Sequence, residues 1–243
     1  MQPALLRKKA SNIHSGEADS VLVGVWRQIK KDFHLDDSKV EDLIQRYADT
    51  VKHDNPKQRS PLRGNLRGDL TGETMTWYAF LKAMKVLRAT KMHVTLHLQH
   101  LRLCSSHTLV VDLDEMEHSK PDVKEGERNQ LSTFFLEIQS ELGINPAKFE
   151  ELIRSYMIRA RIPMTAVNRS QTRGNLKKEL LGPNLSWKSF IKGLCFLCVT
   201  QFDFIVDLQL RGKHNSQHKR TIILNELEDF EAERDLIEKG ALL

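Results

Sequence analysis

Two kinds of side chain in this sequence could do chemistry: cations that recur at matched positions, and a small set of histidines and cysteines. The stretch Arg63-Gly64-Asn65-Leu66 returns 110 residues later as Arg173-Gly174-Asn175-Leu176. Packing does not readily explain two recurring arginines, because cations are rarely buried in proteins. An exposed arginine or lysine can bind a phosphate or an acidic partner, and Lys82 recurs in the same way as Lys192.

The distribution of charge supports a polyanion as the partner. The formal net charge is only +5, but residues 52–102 contain ten Lys and Arg against three acids. Residues 154–220 contain thirteen against three, and the acids are concentrated in the flanking stretches. Concentrated positive charge attracts nucleic acid. A well-solvated surface of mixed charge is the alternative.

We predict nucleic-acid contacts for cations of the two basic stretches, made mostly to the phosphate backbone and without sequence specificity. They are Arg59, Arg63, Arg67, Lys82, Arg88, Arg173, Lys177, Lys178, Lys192, Arg211 and Lys213.

Histidines and acids on the predicted strands raise the question of a metal site. His93 and His97 point to one face of a strand, and Asp203 and Asp207 occupy the matching positions of the second copy. A closed metal site needs three or four convergent ligands with supporting hydrogen bonds, and no ligand spacing of that kind is present. We therefore predict no metal.

The cysteine pattern and the absence of catalytic motifs argue against an enzyme. Cys195 and Cys198 form a lone C-x-x-C inside an apolar helix, where cysteines usually serve packing. No Walker loop, G-x-S-x-G, H-E-x-x-H or kinase signature occurs. We predict a protein without enzymatic activity and without a cofactor.

The elements that position these residues occur twice, so we predict a tandem duplication. The expected organisation is a mobile basic arm over 1–19, a first repeat over 20–116, a linker over 117–128, a second repeat over 129–226 and an acidic C-terminal helix over 227–243. Each repeat is expected to bury its own core.

Periodicity predicts the same α+β element order in both repeats. Two amphipathic helices precede the Arg-Gly-Asn-Leu stretch, where the glycine indicates a turn and Asn65 and Asn175 are expected to cap short helices. Tryptophan-bearing helices follow over 75–88 and 185–199, capped by Thr76 and Ser186. Apolar and polar residues then alternate, which predicts a β-hairpin in each repeat.

The chain is expected to be intracellular and cytoplasmic. Its three cysteines favour a reducing compartment over a disulfide framework. No apolar run reaches the roughly 20 residues that span a bilayer, and the N-terminal residues have no signal-peptide pattern.

This element order resembles a winged helix-turn-helix. The resemblance implies small helical modules that each end in a β-hairpin, with 75–88 and 185–199 as recognition helices and the hairpin tips 102–106 and 211–217 as wings. The Arg-Gly-Asn-Leu stretch followed by a tryptophan-bearing helix also resembles proteins of unassigned function from tailed bacteriophages. That resemblance implies a phage-encoded regulator in the host cytoplasm and brings no known activity.

The sequence leaves two functions open. The first is a nucleic-acid-binding protein, for DNA or RNA, in which two linked basic modules bind one polymer. The second is a structural or assembly protein whose duplicated domains bind other protein subunits or further copies of the chain, since a basic groove also accepts an acidic protein.

Overall fold

The computed structural model describes residues 15–51, 59–100, 104–116, 128–159, 162–211 and 215–224. These form an α+β fold in which one side of an antiparallel sheet is covered by helices. The first half contributes α1 (Ser15–Asp32), α2 (Asp37–Val51), α3 (Arg59–Thr71), α4 (Trp77–Val86), β1 (Ala89–His100) and β2 (Cys104–Asp112). The second half contributes α5 (Gln130–Glu141), α6 (Pro146–Arg159), α7 (Ala166–Leu180), α8 (Trp187–Phe196), β3 (Val199–Leu210) and β4 (Ser216–Ile223).

The helix starts follow from capping side chains. The hydroxyls of Thr76 and Ser186 accept hydrogen bonds from backbone N–H groups of the first turns of α4 and α8, as predicted. Asn129 and Thr165 cap α5 and α7 in the same way, and Asp36 accepts from the N–H of Lys39 at the start of α2.

The four strands form a single sheet in the order β2-β1-β3-β4, and every neighbouring pair is antiparallel. The predicted alternation is confirmed: Met92, Val94 and Leu96 are buried under the helices, whereas His93 and His97 are exposed on the other face. The helices therefore lie on one side of the sheet, and the opposite side carries the polar residues.

The two halves share one hydrophobic core, which differs from the expectation of one core for each repeat. Pairing of β1 with β3 joins the two hairpins, with Thr95 directly opposite Ile205. A two-stranded hairpin alone is marginally stable in water. Joining the hairpins satisfies the inner edges of both, and an alternating pattern in the sequence does not say which strand will be the neighbour.

Helices α4 and α8 lie at the centre of this core. Seven of the ten residues of each are buried, and Phe80 and Trp187 both contact the ring of Phe204 on the sheet. Trp77 and Trp187 are core residues. The two helices proposed for groove recognition thus use most of their surface for packing.

Several predicted segments lie outside the described residues. These are 1–14 of the predicted basic arm, 117–127 of the predicted linker, and 225–243, where the acidic C-terminal helix was predicted. Helix α1 begins at Ser15, so the last five residues of the predicted arm are helical.

Candidate nucleic-acid interface

Helix α3 presents an exposed side made of small and polar residues. Leu66 and Leu70 are buried and hold the helix against the core, whereas Gly64, Asn65 and Gly68 face solvent. A Cβ atom placed on Gly64 or Gly68 would meet no atom within 4 Å. We call the exposed side of α3 the α3 face.

Helix α7 presents the same combination in the second half. Leu176 and Leu180 are its buried residues, and Gly174, Asn175 and Lys178 face solvent. A Cβ atom on Gly174 would also meet nothing within 4 Å. We call this exposed side the α7 face.

The prediction of a turn and a short helix at Arg-Gly-Asn-Leu was wrong in both places. Gly64 and Asn65 lie inside the continuous helix α3, and Gly174 and Asn175 lie inside α7. The two asparagines are therefore not N-caps. The buried leucine pairs one turn apart stabilise the helix by tertiary packing, which overrides the low helix propensity of glycine and asparagine.

Cations flank both faces, and several are paired with carboxylates. Arg67 donates from Nε to Glu41 at 2.9 Å and makes a second contact through its terminal nitrogen. This hydrogen bond lowers the pKa of Glu41 and raises that of Arg67. In the second half, Arg173 donates to one carboxylate oxygen of Glu150 at 3.0 and 2.6 Å.

The recurring lysines make matched ion pairs that are less exposed than the pair of Arg67 with Glu41. Lys82 of α4 pairs with Asp69 of α3 at 3.0 Å, and its ammonium lies 4.6 Å from the ring centroid of Tyr78. Lys192 of α8 pairs with Glu179 of α7 in the same way. These pairs join consecutive helices, so their evident role is structural.

The remaining predicted residues are divided between the α3 face and the end of the sheet where β1 begins and β3 ends. Arg63 donates to the side-chain oxygen of Gln45. Arg211 pairs with Asp114 at 3.0 Å, and its backbone N–H donates to the carbonyl of Arg88 at 3.1 Å. Arg88 itself lies at the end of α4 and has a positive φ of 65°. Arg88 and Arg211 therefore lie together at this end of the sheet and are not part of either helix face.

Lys177 and Lys178 are the most available cations of the predicted set on the two helix faces. Both are exposed, and within the described ranges no carboxylate pairs with either. The ammonium of Lys177 lies 6.0 Å from the ring centroid of Phe149. Lys213 and the side chain of Arg59 lie outside the described residues.

The open face of the sheet brings the histidines and aspartates together across β1 and β3. His93 lies opposite Asp207, and His97 lies opposite Asp203. In the part of the chain that the structure describes, no group of three or more His, Cys, Asp or Glu side chains is placed to hold a metal ion.

Two contacts on this face were missed by the sequence analysis. Lys219 pairs with Asp203 at 2.7 Å, and the Thr221 hydroxyl donates to the same carboxylate at 2.6 Å. These bonds, assisted by the charges of Lys219 and His97, outweigh burial and lower the pKa of Asp203. No sequence signal could have found the pairing, because it depends on the register between β3 and β4.

Two buried histidines connect each edge strand to a helix from the other half. His218 of β4 binds Asp32 of α1 through Nδ1 at 2.8 Å. His107 of β2 places Nδ1 2.7 Å from Glu141 of α5, close enough for an ion pair but not aligned as a hydrogen bond. Their Nε2 atoms lie 3.2 and 2.8 Å from the hydroxyls of Ser216 and Ser105. His107 and His218 therefore make a matched structural contact in the two halves.

Comparisons with known proteins add no functional information. The chain matches no protein-family model, and no curated protein and no solved structure is significantly similar to it. Among the described helices, none has the length and apolar character needed to span a bilayer.

Proposed function

We propose that this protein is a non-enzymatic nucleic-acid-binding protein built from a tandem duplication, and that the α3 and α7 faces contact the phosphate backbone. One observation supports the proposal most directly. Both faces place an exposed glycine and asparagine in the middle of a continuous helix beside arginine or lysine. The role of a phage-encoded regulator in the host cytoplasm remains a prediction from the sequence resemblance.

Packing does not explain why glycine occupies these positions, although glycine lowers the stability of a helix. Glycine inside a helix is less favourable than alanine by about 1 kcal/mol. A Cβ atom would fit without contact at Gly64, Gly68 and Gly174. A glycine that the fold does not require is explained if another molecule approaches the helix backbone closely.

The chemistry of the neighbouring side chains suits a phosphodiester backbone. Asn65 and Asn175 carry amide donors for phosphate oxygens, and Lys177 and Lys178 supply positive charge. Arg67 is already paired with Glu41, but both side chains are largely exposed. Exposed ion pairs contribute little to stability, so Arg67 can exchange the carboxylate for a phosphate at small cost.

This proposal uses the outer helices and not the recognition helices that the winged-helix resemblance implies. Helices α4 and α8 expose only three of their ten residues to any extent, because their apolar sides fill the core. Helices α3 and α7 each bury two leucines and leave a long exposed side.

The proposal is tested by neutralising the two faces separately. We would measure fluorescence anisotropy of labelled oligonucleotides with Arg63→Gln/Arg67→Gln and with Lys177→Gln/Lys178→Gln. Each double variant should weaken binding and reduce the slope of log affinity against log salt by about 1 for each phosphate that the variant no longer neutralises. The matched control is Arg27→Gln/Lys31→Gln, which removes two exposed cations of α1.

Binding unaffected by both face variants, or weakened equally by the α1 control, would contradict the assignment of the faces. Absence of binding to DNA and RNA at low salt would contradict the function itself.

A second function, assembly with other protein subunits, is favoured by a different observation. Ile158, Met164 and Val167 are 46%, 48% and 65% exposed at the junction of α6 and α7. Exposed apolar residues grouped in one region often mark protein contacts. Light scattering without nucleic acid tests this alternative: a defined oligomer that Val167→Ser dissociates would support assembly, and a monomer would count against self-association.

A further inference from the structure

The contacts that join the two halves follow an approximate twofold axis. Thr95 and Ile205 are equivalent positions, separated by the same 110 residues as Arg63 and Arg173, and they lie directly opposite each other in the sheet. An antiparallel strand pair has its local twofold axis perpendicular to the sheet. The axis therefore passes between Thr95 and Ile205.

The helices that cover the sheet are related by the same twofold axis. Trp77 and Trp187, also 110 residues apart, stack on each other with ring centroids 5.7 Å apart and planes inclined by 12°. Stacking of equivalent rings places the axis between them. The ion pairs Lys82–Asp69 and Lys192–Glu179 are likewise related as a matched pair.

The axis determines how the α3 and α7 faces are presented. A twofold axis perpendicular to the sheet maps the helix side of the sheet onto itself. Helices α3 and α7 therefore lie on the same side of the sheet, and their directions parallel to the sheet are opposite. If the α3 face binds a nucleic-acid backbone that runs 5′ to 3′ in one direction, the α7 face binds a backbone that runs in the opposite direction.

Only one form of nucleic acid presents both polarities at once. The two strands of a duplex are antiparallel and are related by local twofold axes, which is why twofold-symmetric proteins bind symmetric duplex sites. A single strand has one direction, so two equivalent faces would have to bind it in opposite orientations.

We propose that the α3 and α7 faces together bind one duplex, each face contacting the backbone of a different strand. This inference rests on the proposed nucleic-acid-binding function and specifies its ligand. The shared chemistry is a pair of antiparallel phosphodiester backbones, which both duplex DNA and duplex RNA supply.

The first experiment compares ligands of equal length with the full chain. Labelled duplex DNA, duplex RNA and the separated strands, each about 30 nucleotides long or roughly three helical turns, would be titrated by fluorescence anisotropy at low and moderate salt. We expect at least one duplex to bind roughly tenfold or more tightly than either of its strands, with one protein chain for each occupied site. The two duplex arms distinguish DNA from RNA.

A second experiment asks which strands are contacted. A duplex whose phosphates are neutralised as methylphosphonates in one strand should bind more weakly than the unmodified duplex, and neutralising the other strand instead should weaken binding to a similar extent, because each face contacts a different strand. Single strands bound as tightly as the duplex, or a duplex neutralised in one strand that keeps the affinity of the unmodified duplex, would overturn the duplex inference while leaving nucleic-acid binding in place. Failure of every oligonucleotide to bind would instead remove the proposed function on which the inference rests.

Discussion

The indole rings of Trp77 and Trp187 stack at a centroid distance of 5.7 Å across the junction of the two halves. Trp77 is 8% exposed and Trp187 is 3% exposed, so the stack is part of the common core. Trp187 also contacts Phe204 of β3 edge to face. The two halves are therefore joined by the helix layer as well as by the sheet.

Replacing either tryptophan should destabilise the whole protein. Trp77→Leu or Trp187→Leu should each lower the free energy of unfolding by about 2–3 kcal/mol, because part of the buried ring volume is removed. In a double-mutant cycle the two effects should be coupled by about 0.5–1.5 kcal/mol, the usual strength of an aromatic pair. Urea unfolding measures all three variants, and strictly additive effects would show that the rings do not interact.

Replacing the exposed glycines by alanine should raise the stability of the fold and weaken nucleic-acid binding. Gly64→Ala and Gly174→Ala should each raise the free energy of unfolding by about 0.5–1 kcal/mol, because alanine favours the helix and its Cβ meets nothing within 4 Å. The same changes should weaken nucleic-acid binding if a phosphate backbone approaches the helix there. Thermal unfolding and anisotropy are measured on the same preparations. Greater stability with unchanged affinity would show that no ligand approaches these glycines.

Gly193 in α8 is expected to behave in the opposite way. A Cβ atom at this position would lie 2.5 and 2.6 Å from two ring carbons of Phe135, which is fully buried. Gly193→Ala should therefore cost about 1–3 kcal/mol through overpacking. Adding Phe135→Leu should recover part of this cost, measured by chemical denaturation. A cost unchanged in the double variant would place the strain elsewhere.

The sequence was sufficient to predict most of the secondary structure. The alternation of apolar and polar residues from Met92 to Leu98 predicted a strand, and the helical spacing of apolar residues predicted helices. The structure contains both kinds of element at these places. Thr76 and Ser186 were recognised as caps because a hydroxyl before an apolar helix has one common structural use. These predictions depend on interactions within a few residues of each other.

Interactions between distant residues could not be predicted in the same way. Gly64 indicates a turn when its neighbours alone are considered, but packing of Leu66 and Leu70 keeps α3 continuous. The pairing of β1 with β3 depends on which strand edges meet, and no local pattern encodes that choice. The carboxylate partners of Arg67 and Arg173 likewise lie 26 and 23 residues away along the chain.

The buried histidines should hold the edge strands in place. Replacing His218 by alanine removes its 2.8 Å bond to Asp32, whose other carboxylate oxygen keeps the hydrogen bond from the Gln28 amide. We expect global stability to fall by about 0.5–1.5 kcal/mol, the net contribution of a typical hydrogen bond, because the Asp32 side chain is 39% exposed and water can replace the lost partner. Amide hydrogen exchange should accelerate most in β4 and in the last turn of α1. His107→Ala is the matched variant for β2 and α5, and uniform acceleration across the sheet in either variant would argue against a local contact.

The pH dependence of stability should contain a contribution from Asp203. Its pKa in the folded protein is lowered by the hydrogen bonds from Lys219 and Thr221. A carboxyl group with a lowered folded pKa stabilises the fold above its unfolded pKa, about 3.9, and this contribution disappears as the pH falls towards the folded value. Asp203→Asn should therefore reduce stability near neutral pH, by up to about 1 kcal/mol because Lys219 is exposed.

The Asp203→Asn variant should also lose less stability than the parent when the pH is lowered below about 4. Urea unfolding midpoints between neutral and acidic pH measure both effects. The matched control is Asp207→Asn, because Asp207 accepts a hydrogen bond from the neutral amide of Gln217 at 2.7 Å. If the control changes the loss of stability at acidic pH as much as Asp203→Asn does, the Lys219 contact is not its cause. If the parent and Asp203→Asn lose the same amount of stability between neutral and acidic pH, the Lys219 contact does not contribute to stability.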